Sequence, residues 1–361
     1  MARGQSRALI VIVLLAVTGL IVFGLLRRGG RSDPPKQPTP PTAAIAPAPR
    51  AAGPTTATSA PPIGRTTKPA PPKPAERVPA LLLLGPTRQV TPQQRTAAEA
   101  MARRGLKLAA DNKAIEARST LADALNSGAL ATETAGKVRQ RLAALAKLTL
   151  LGPKLYRGDP CTFAYRFKPG DVLVRLERKL GLHVPERLIM SVNGIADATK
   201  IWAGQNVKMI RGPFHAVVSK SRFTMDLYLA EPGAGRMIFI RRLRVGTGKD
   251  GSTPTGMWQV SPGRKMIHAP WTPPPSSKLP PRKILWGQPG YPLGAKGYWI
   301  GLEGTAGNIR TAEDGYGLHG TNDLGSIGEA SSMGCIRLTD TDIELVYATL
   351  YPKWSKVRID P

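Results

Sequence analysis

The pattern of apolar and polar positions changes along the chain. From Ala8 to Leu26 every residue is apolar or small and none is charged. At about 1.5 Å per residue this run nearly spans a hydrocarbon core of roughly 30 Å. Residues 32–79 are the opposite: rich in Pro, Ala and Thr and nearly free of large apolar side chains. Such a stretch buries too little surface to offset its ordering entropy, and predicts an extended tether leaning toward polyproline II. From Thr91 onward Ala and Leu recur at helical spacing, with breaks near 105, 112 and 126–128. Two or three short amphipathic helices follow from that. Thr91-Pro92-Gln93-Gln94 reads as N-cap, first-turn proline and capping-box glutamine. Residues 163–214 predict strand, helix, helix, strand, with Asp171 capping a helix to about Leu180 and a second helix ending at Asn193-Gly194. Beyond Pro213 the segments are short and strand-like with Gly, Pro and Asp between them, a predominantly β domain long enough to bury its own core.

The chain is therefore expected to be an α+β multidomain protein. Its parts are an anchor at 1–31 with a transmembrane helix at 8–26, a tether at 32–79, a helical module at 80–153, a βααβ module at 160–212 and a mainly-β domain at 213–361. Arg3 and Arg7 precede the apolar run and Arg27, Arg28 and Arg31 follow it, so flanking charge does not orient it. No small-residue cleavage site closes the run, which favours a retained anchor over a cleaved signal; a buried core helix is the alternative.

Composition narrows the partners. The net charge of +27, from 51 Lys+Arg against 24 Asp+Glu, favours anionic surfaces. Without zinc spacing, an RNP-like aromatic run or a compact Lys/Arg block, no nucleic-acid partner is expected. Two cysteines exclude a disulfide framework, leaving a single Cys161–Cys335 bridge formally open. The four histidines stand at no metal-ligand spacing with another His or Cys, so no zinc site is expected.

Candidate chemistry lies in "HGTNDLGSIGEASSMGCIRL", residues 319–338. Cys335 can be a small buried apolar residue, half of a disulfide or a nucleophile. Gly334 before it permits unusual backbone angles, so the Gly334 and Cys335 amides can converge on an oxyanion. A helix beginning near Thr339 would lower the thiol pKa through its dipole. His319 is the base nearest in sequence, with His268 a competitor in the same domain. Cysteine–histidine catalysis requires one ring nitrogen in hydrogen-bond reach of the sulfur and the other held by a third group. Asp314 and Asp323 flank the histidine, but neither stands at an obvious spacing for that role.

These residues resemble the signature of the L,D-transpeptidase catalytic domain of YkuD type: H-G-T-N, a spacer, then S-x-G-C-[IV]-R. "VGTGKDGSTPTGMWQV" at 245–260 and "LGAKGYWIGLEG" at 293–304 are similar to two further family stretches, in the family's order. The resemblance covers about 214–360. It implies a β-sandwich-like mixed sheet with a short helix, Cys335 as nucleophile, His319 as base and the Gly320 carbonyl orienting that base. Gly334 and Cys335 amides would form the oxyanion hole, and Ser332, Arg337, Thr321 and Tyr298 would shape the substrate site. Met333 stands where many members carry histidine, which implies altered polarity beside the thiol. The implied donor is a peptidoglycan stem tetrapeptide: a thioester forms, D-alanine leaves, and an amine of another stem resolves it into a 3→3 cross-link without any cofactor. Water as acceptor would give an L,D-carboxypeptidase, and a wall-protein lysine is a further acceptor. A non-catalytic peptidoglycan-binding scaffold is the reading from another class.

Residues 163–214 resemble a LysM domain in their Gly-Asp helix start, Asn-Gly turn and I-x-x-G-Q-x-V return, which implies binding to N-acetylglucosamine-containing glycan; a LysM-shaped spacer is the alternative. The helical segment resembles a tetratricopeptide-like unit for packing or partner docking. Together these imply a single-pass protein of the cytoplasmic membrane, its N-terminus inside and its catalytic domain in the periplasm or wall space, with membrane and peptidoglycan as partners.

Overall fold

The computed structural model describes residues 89–274 and 279–361. The expected anchor at 8–26 and tether at 32–79 lie outside the described residues. Among the described residues, no helix is long and apolar enough to cross a membrane.

Three helices open the described chain: α1 (Pro92–Ala110), α2 (Ala114–Asn126) and α3 (Thr132–Thr149). The capping box forms as expected: Thr91 Oγ1 accepts the Gln94 N–H at 3.2 Å, and Gln94 Oε1 accepts the Thr91 N–H at 3.0 Å. The break expected near residue 105 does not occur. Gly105 sits inside α1, where a Cβ would stand 2.7 Å from Leu121 Cδ2. Glycine here serves the close approach of α2, not the end of a helix.

A βααβ module follows: β1 (Thr162–Arg166), α4 (Leu173–Lys179), α5 (Glu186–Val192) and β2 (Asn206–Ile210), with β1 and β2 paired antiparallel. The expected Asp171 cap is not made. Val172 occupies the N-cap, and Asp171 Oδ2 instead accepts from Lys168 N at 2.9 Å and Tyr165 OH at 2.8 Å, closing the turn ahead of the helix. At the far end Asn193 links α5 to β2, its Nδ2 donating to Ile189 O and Lys208 O and its Oδ1 accepting from Lys208 N.

The C-terminal domain contributes β3 (Phe214–Ser219), β4 (Thr224–Ala230), β5 (Met237–Arg244), β6 (Thr247–Gly248), β7 (Gly256–Met266), β8 (Trp299–Thr305), β9 (Gly317–Gly320), β10 (Ala330–Ser332), β11 (Ile336–Leu338), α6 (Asp340–Thr349) and β12 (Lys356–Asp360). Eight strands form one mixed sheet in the order β11-β9-β8-β7-β12-β3-β4-β5, while β10 and β6 pair separately. One hydrophobic core runs from Ala102 in α1 through Leu176 and Ile189 to Trp258 and Ile336. A fully buried ion pair, Arg118 Nη2 to Asp159 Oδ1 at 2.6 Å, fastens α2 to the start of the βααβ module. Cys161 lies beside it and is unbridged, as is Cys335, so the disulfide considered from sequence is absent.

Candidate active site

Pairing at one edge of the sheet brings the motif together. His319 on β9 lies opposite Trp299 on β8 and opposite Arg337 on β11, the β9–β11 pair being parallel. Their neighbours Leu318, Ile300 and Ile336 are also in register and fully buried. Side chains alternate along a strand. Leu318, Ile300 and Ile336 therefore face the core, and His319, Trp299 and Arg337 share the other face. Cys335 precedes Ile336 and so falls on the His319 side; it is half-buried. The Trp299 and His319 rings stack, 5.7 Å between centroids and 16° apart.

His319 Nδ1 lies 2.6 Å from the Gly320 carbonyl oxygen. A carbonyl only accepts, so Nδ1 carries the proton and Nε2 keeps the lone pair of a base. Burial pushes the imidazole down to about 4, against the upward pull of the Gly320 bond, and Arg337 lowers it further. Burial pushes the Cys335 thiol up to about 11, opposed by a hydrogen bond from the Gly317 main chain and by Arg337. At neutral pH both groups are uncharged.

Two expectations about the thiol are corrected. The thiol donates to Gly315 O at 3.6 Å and makes no hydrogen bond to His319. The thiol pKa is raised, not lowered: burial outweighs whatever the helix after Thr339, with Asp340 and Asp342 in its first turn, contributes.

The turn around the sulfur is tightly held. Gly334 has φ of +125°, and a Cβ there would meet Tyr316 Cε1 at 2.9 Å and Ser252 O at 3.0 Å, so glycine is required. Ser332, buried, accepts the Gly334 N–H at 3.2 Å and donates to Cys335 O at 2.6 Å. This changes the expected oxyanion pair, because the Gly334 amide is already engaged. The Cys335 N–H has no protein acceptor among the described residues.

The expected substrate-shaping residues separate. Ser332 is committed to the turn. Thr321 is buried and accepts the Asp323 N–H at 3.1 Å, closing the turn after the histidine. Tyr298, one position before Trp299, points to the opposite face, packs on Tyr347 at 4.8 Å and donates to Glu344 Oε1 at 3.3 Å. Strand alternation removes it from the site. Arg337 stays: half-buried, opposite His319, with Asp323 Oδ2 at 3.6 Å. Met333 is exposed beside the nucleophile turn. His268 stacks on Trp286 at 3.6 Å. Sequence reasoning missed Thr253, whose Oγ1 donates to the Gly334 carbonyl at 2.9 Å. Its only signal was membership of the 245–260 motif.

A thiol and a tautomerically fixed imidazole on one sheet face, with a free amide at the sulfur, are the parts that cysteine-dependent acyl transfer uses. Residues 213–359 match the YkuD family model, described as the L,D-transpeptidase catalytic domain, and the C-terminal domain is homologous to such domains. Over 73 residues the chain is 41% identical to a putative L,D-transpeptidase YkuD of Bacillus licheniformis, covering 20% of this chain and 37% of that protein. Over 72 residues it is 39% identical to the putative L,D-transpeptidase YkuD of Bacillus subtilis, with the same coverage. The chain thus spans 37% of the length of these curated relatives. Among solved structures, L,D-transpeptidase 3 of Mycobacterium tuberculosis with a faropenem-derived adduct aligns with a TM-score of 0.30 at 21% identity, over 44% of this chain and 65% of that one.

Proposed function

We propose that the protein is a peptidoglycan L,D-transpeptidase that forms 3→3 cross-links through a thioester on Cys335. The observation that carries this is the His319 Nδ1 contact with the Gly320 carbonyl, which leaves Nε2 as a neutral base on the face that Cys335 shares. Cys335 Sγ turns from Gly315 O and attacks the carbonyl of the third stem residue. Nε2 takes the thiol proton as the sulfur–carbon bond forms, and returns it to the amine of D-alanine as the peptide bond breaks. The Cys335 amide faces the oxygen that becomes negative, and Arg337 adds positive potential. A side-chain amine of a second stem then attacks the thioester and gives its proton to Nε2, which passes that proton to the sulfur as the carbon–sulfur bond breaks and the thiol is freed. No step calls for a metal.

The basic surface suits an anionic wall polymer, and the βααβ module is assigned glycan binding. The run at 8–26 is assigned to the cytoplasmic membrane, with the catalytic domain outside. Incubating the full-length protein with disaccharide-tetrapeptide and weighing the products tests the reaction. Cross-linked dimer plus D-alanine supports transpeptidation, and tripeptide alone supports the carboxypeptidase. No product, or equal product from Cys335→Ala, removes the proposal and leaves the scaffold reading.

A further inference from the structure

The motif at 245–260 has no part in the chemistry so far, yet it packs directly on the nucleophile turn. Thr253 is 1% exposed. Its Oγ1 accepts the Gly248 N–H at 2.7 Å, so its own proton is free to go to the Gly334 carbonyl, 2.9 Å away. The approach is close because both facing residues are glycines: a Cβ on Gly248 would stand 2.9 Å from Gly334 Cα and 2.7 Å from Thr253 N. Gly248 is also the register partner of Ser332, so strands β6 and β10 join the two motifs.

The Gly334 carbonyl and the Cys335 N–H belong to one peptide unit. That unit is planar, and in its trans form the N–H points opposite to the C=O. Whatever holds the oxygen therefore aims the hydrogen. A hydrogen bond to the carbonyl also polarises the unit and makes its N–H a stronger donor. On the other side of the turn Ser332 engages the Gly334 N–H and the Cys335 carbonyl. Of the polar main-chain groups at this turn, the Cys335 N–H is left without a protein acceptor among the described residues.

We infer that Thr253 is a positioning residue: through the Gly334 carbonyl it aims and strengthens the Cys335 N–H as the donor to the acyl oxygen that becomes negative. The inference rests on Cys335 being the acyl-accepting nucleophile of the proposed function. A simple buttress for the turn would leave the same contacts, and the two roles separate by chemistry.

Imipenem and iodoacetamide react with the same sulfur differently. With imipenem, Sγ bonds to the lactam carbonyl carbon, the carbon–nitrogen bond opens, the thiol proton passes to the nitrogen, and the oxygen is transiently negative. With iodoacetamide, Sγ displaces iodide and the proton goes to solvent; no oxyanion forms. Thr253→Val keeps the volume and loses both hydrogen bonds, and Thr253→Ser keeps both. In the full-length protein, Thr253→Val is expected to slow acylation at least about tenfold, with the 10²–10³-fold cost of deleting a donor outright as the ceiling, leave alkylation and its pH profile unchanged, and be rescued by Thr253→Ser. Should Thr253→Val not fold, Thr253→Ala is read in the same way; loss of folding in both makes the role structural and overturns the inference. Equal losses in both reactions, unchanged acylation, or a wild type that iodoacetamide labels and imipenem does not acylate also overturn it. If the acylation–alkylation split holds while tetrapeptide yields no product, the proposed substrate fails and the Thr253 role stands.

Discussion

Whether Cys335 and His319 rest as neutral groups or as an ion pair is decided by burial, and the difference is measurable. Burial raises the thiol from 9.0 to about 11 and lowers the imidazole from 6.5 to about 4. At pH 7 a pKa of about 11 leaves roughly one thiol in 10⁴ ionised, against roughly one in 10² at 9.0. The more basic thiolate is the better nucleophile, and a Brønsted slope of about 0.4–0.5 over those two units returns a factor of about 6–10. Iodoacetamide should therefore alkylate Cys335 roughly tenfold more slowly than an unperturbed cysteine of this accessibility. The rate should climb tenfold per pH unit from 7 to 10 without a shoulder. His319→Ala should leave alkylation unchanged, because a neutral imidazole does not stabilise the thiolate, yet cut acyl transfer by about 10²–10⁴ through loss of the base. Acyl transfer in the wild type should rise as pH climbs through about 4, where His319 loses its proton. An alkylation shoulder near neutral pH that vanishes in His319→Ala would refute the reasoning and establish an ion pair.

Gly334→Ala forces a side chain into positive φ and against Tyr316 and Ser252; it should cost about 1–3 kcal/mol in urea denaturation and abolish acylation. His215, buried with Nδ1 accepting the Lys356 N–H at 3.1 Å, is pushed to about 3 by burial. A folded pKa below the unfolded 6.5 means the unfolded chain binds the proton first, so stability falls as pH drops below 6.5. From pH 6.5 to 4.5 this residue removes about 2–3 kcal/mol, and His215→Gln should narrow the difference in urea stability between those two pH values by that much. Asp159→Ala strands the fully buried Arg118 without its carboxylate; a loss of about 3–5 kcal/mol is expected, read as a lowered urea midpoint.

Much of the architecture was legible because its signals are local. The capping box at Thr91, the βααβ order and the β character beyond Pro213 each rest on residues a few positions apart. The orientation of His319 by the next residue's carbonyl, implied by the resemblance, is equally local. What escaped depends on partners far along the chain. Gly105 looks like a helix breaker until Leu121 is seen against it. Asp171 has a suitable capping spacing, but Tyr165 and the Lys168 amide claim its carboxylate first. Tyr298 and Trp299 are adjacent in sequence, and only pairing with His319 decides which of them faces the site. Thr253 and Gly334 stand far apart in number, and no periodicity announces that one hydroxyl spans them.

The continuity of the apolar interior, from the first helix through the βααβ module into the large sheet, has a practical consequence for anyone who cuts this protein. Boundaries that look like seams in the text are welds in the solid. Excising residues 213–361 would bare the flank that the preceding modules cover, so the fragment should precipitate or melt early. The intact head should instead come apart in a single cooperative step, and swapping its front module for a relative's would mean rebuilding the sheet behind it.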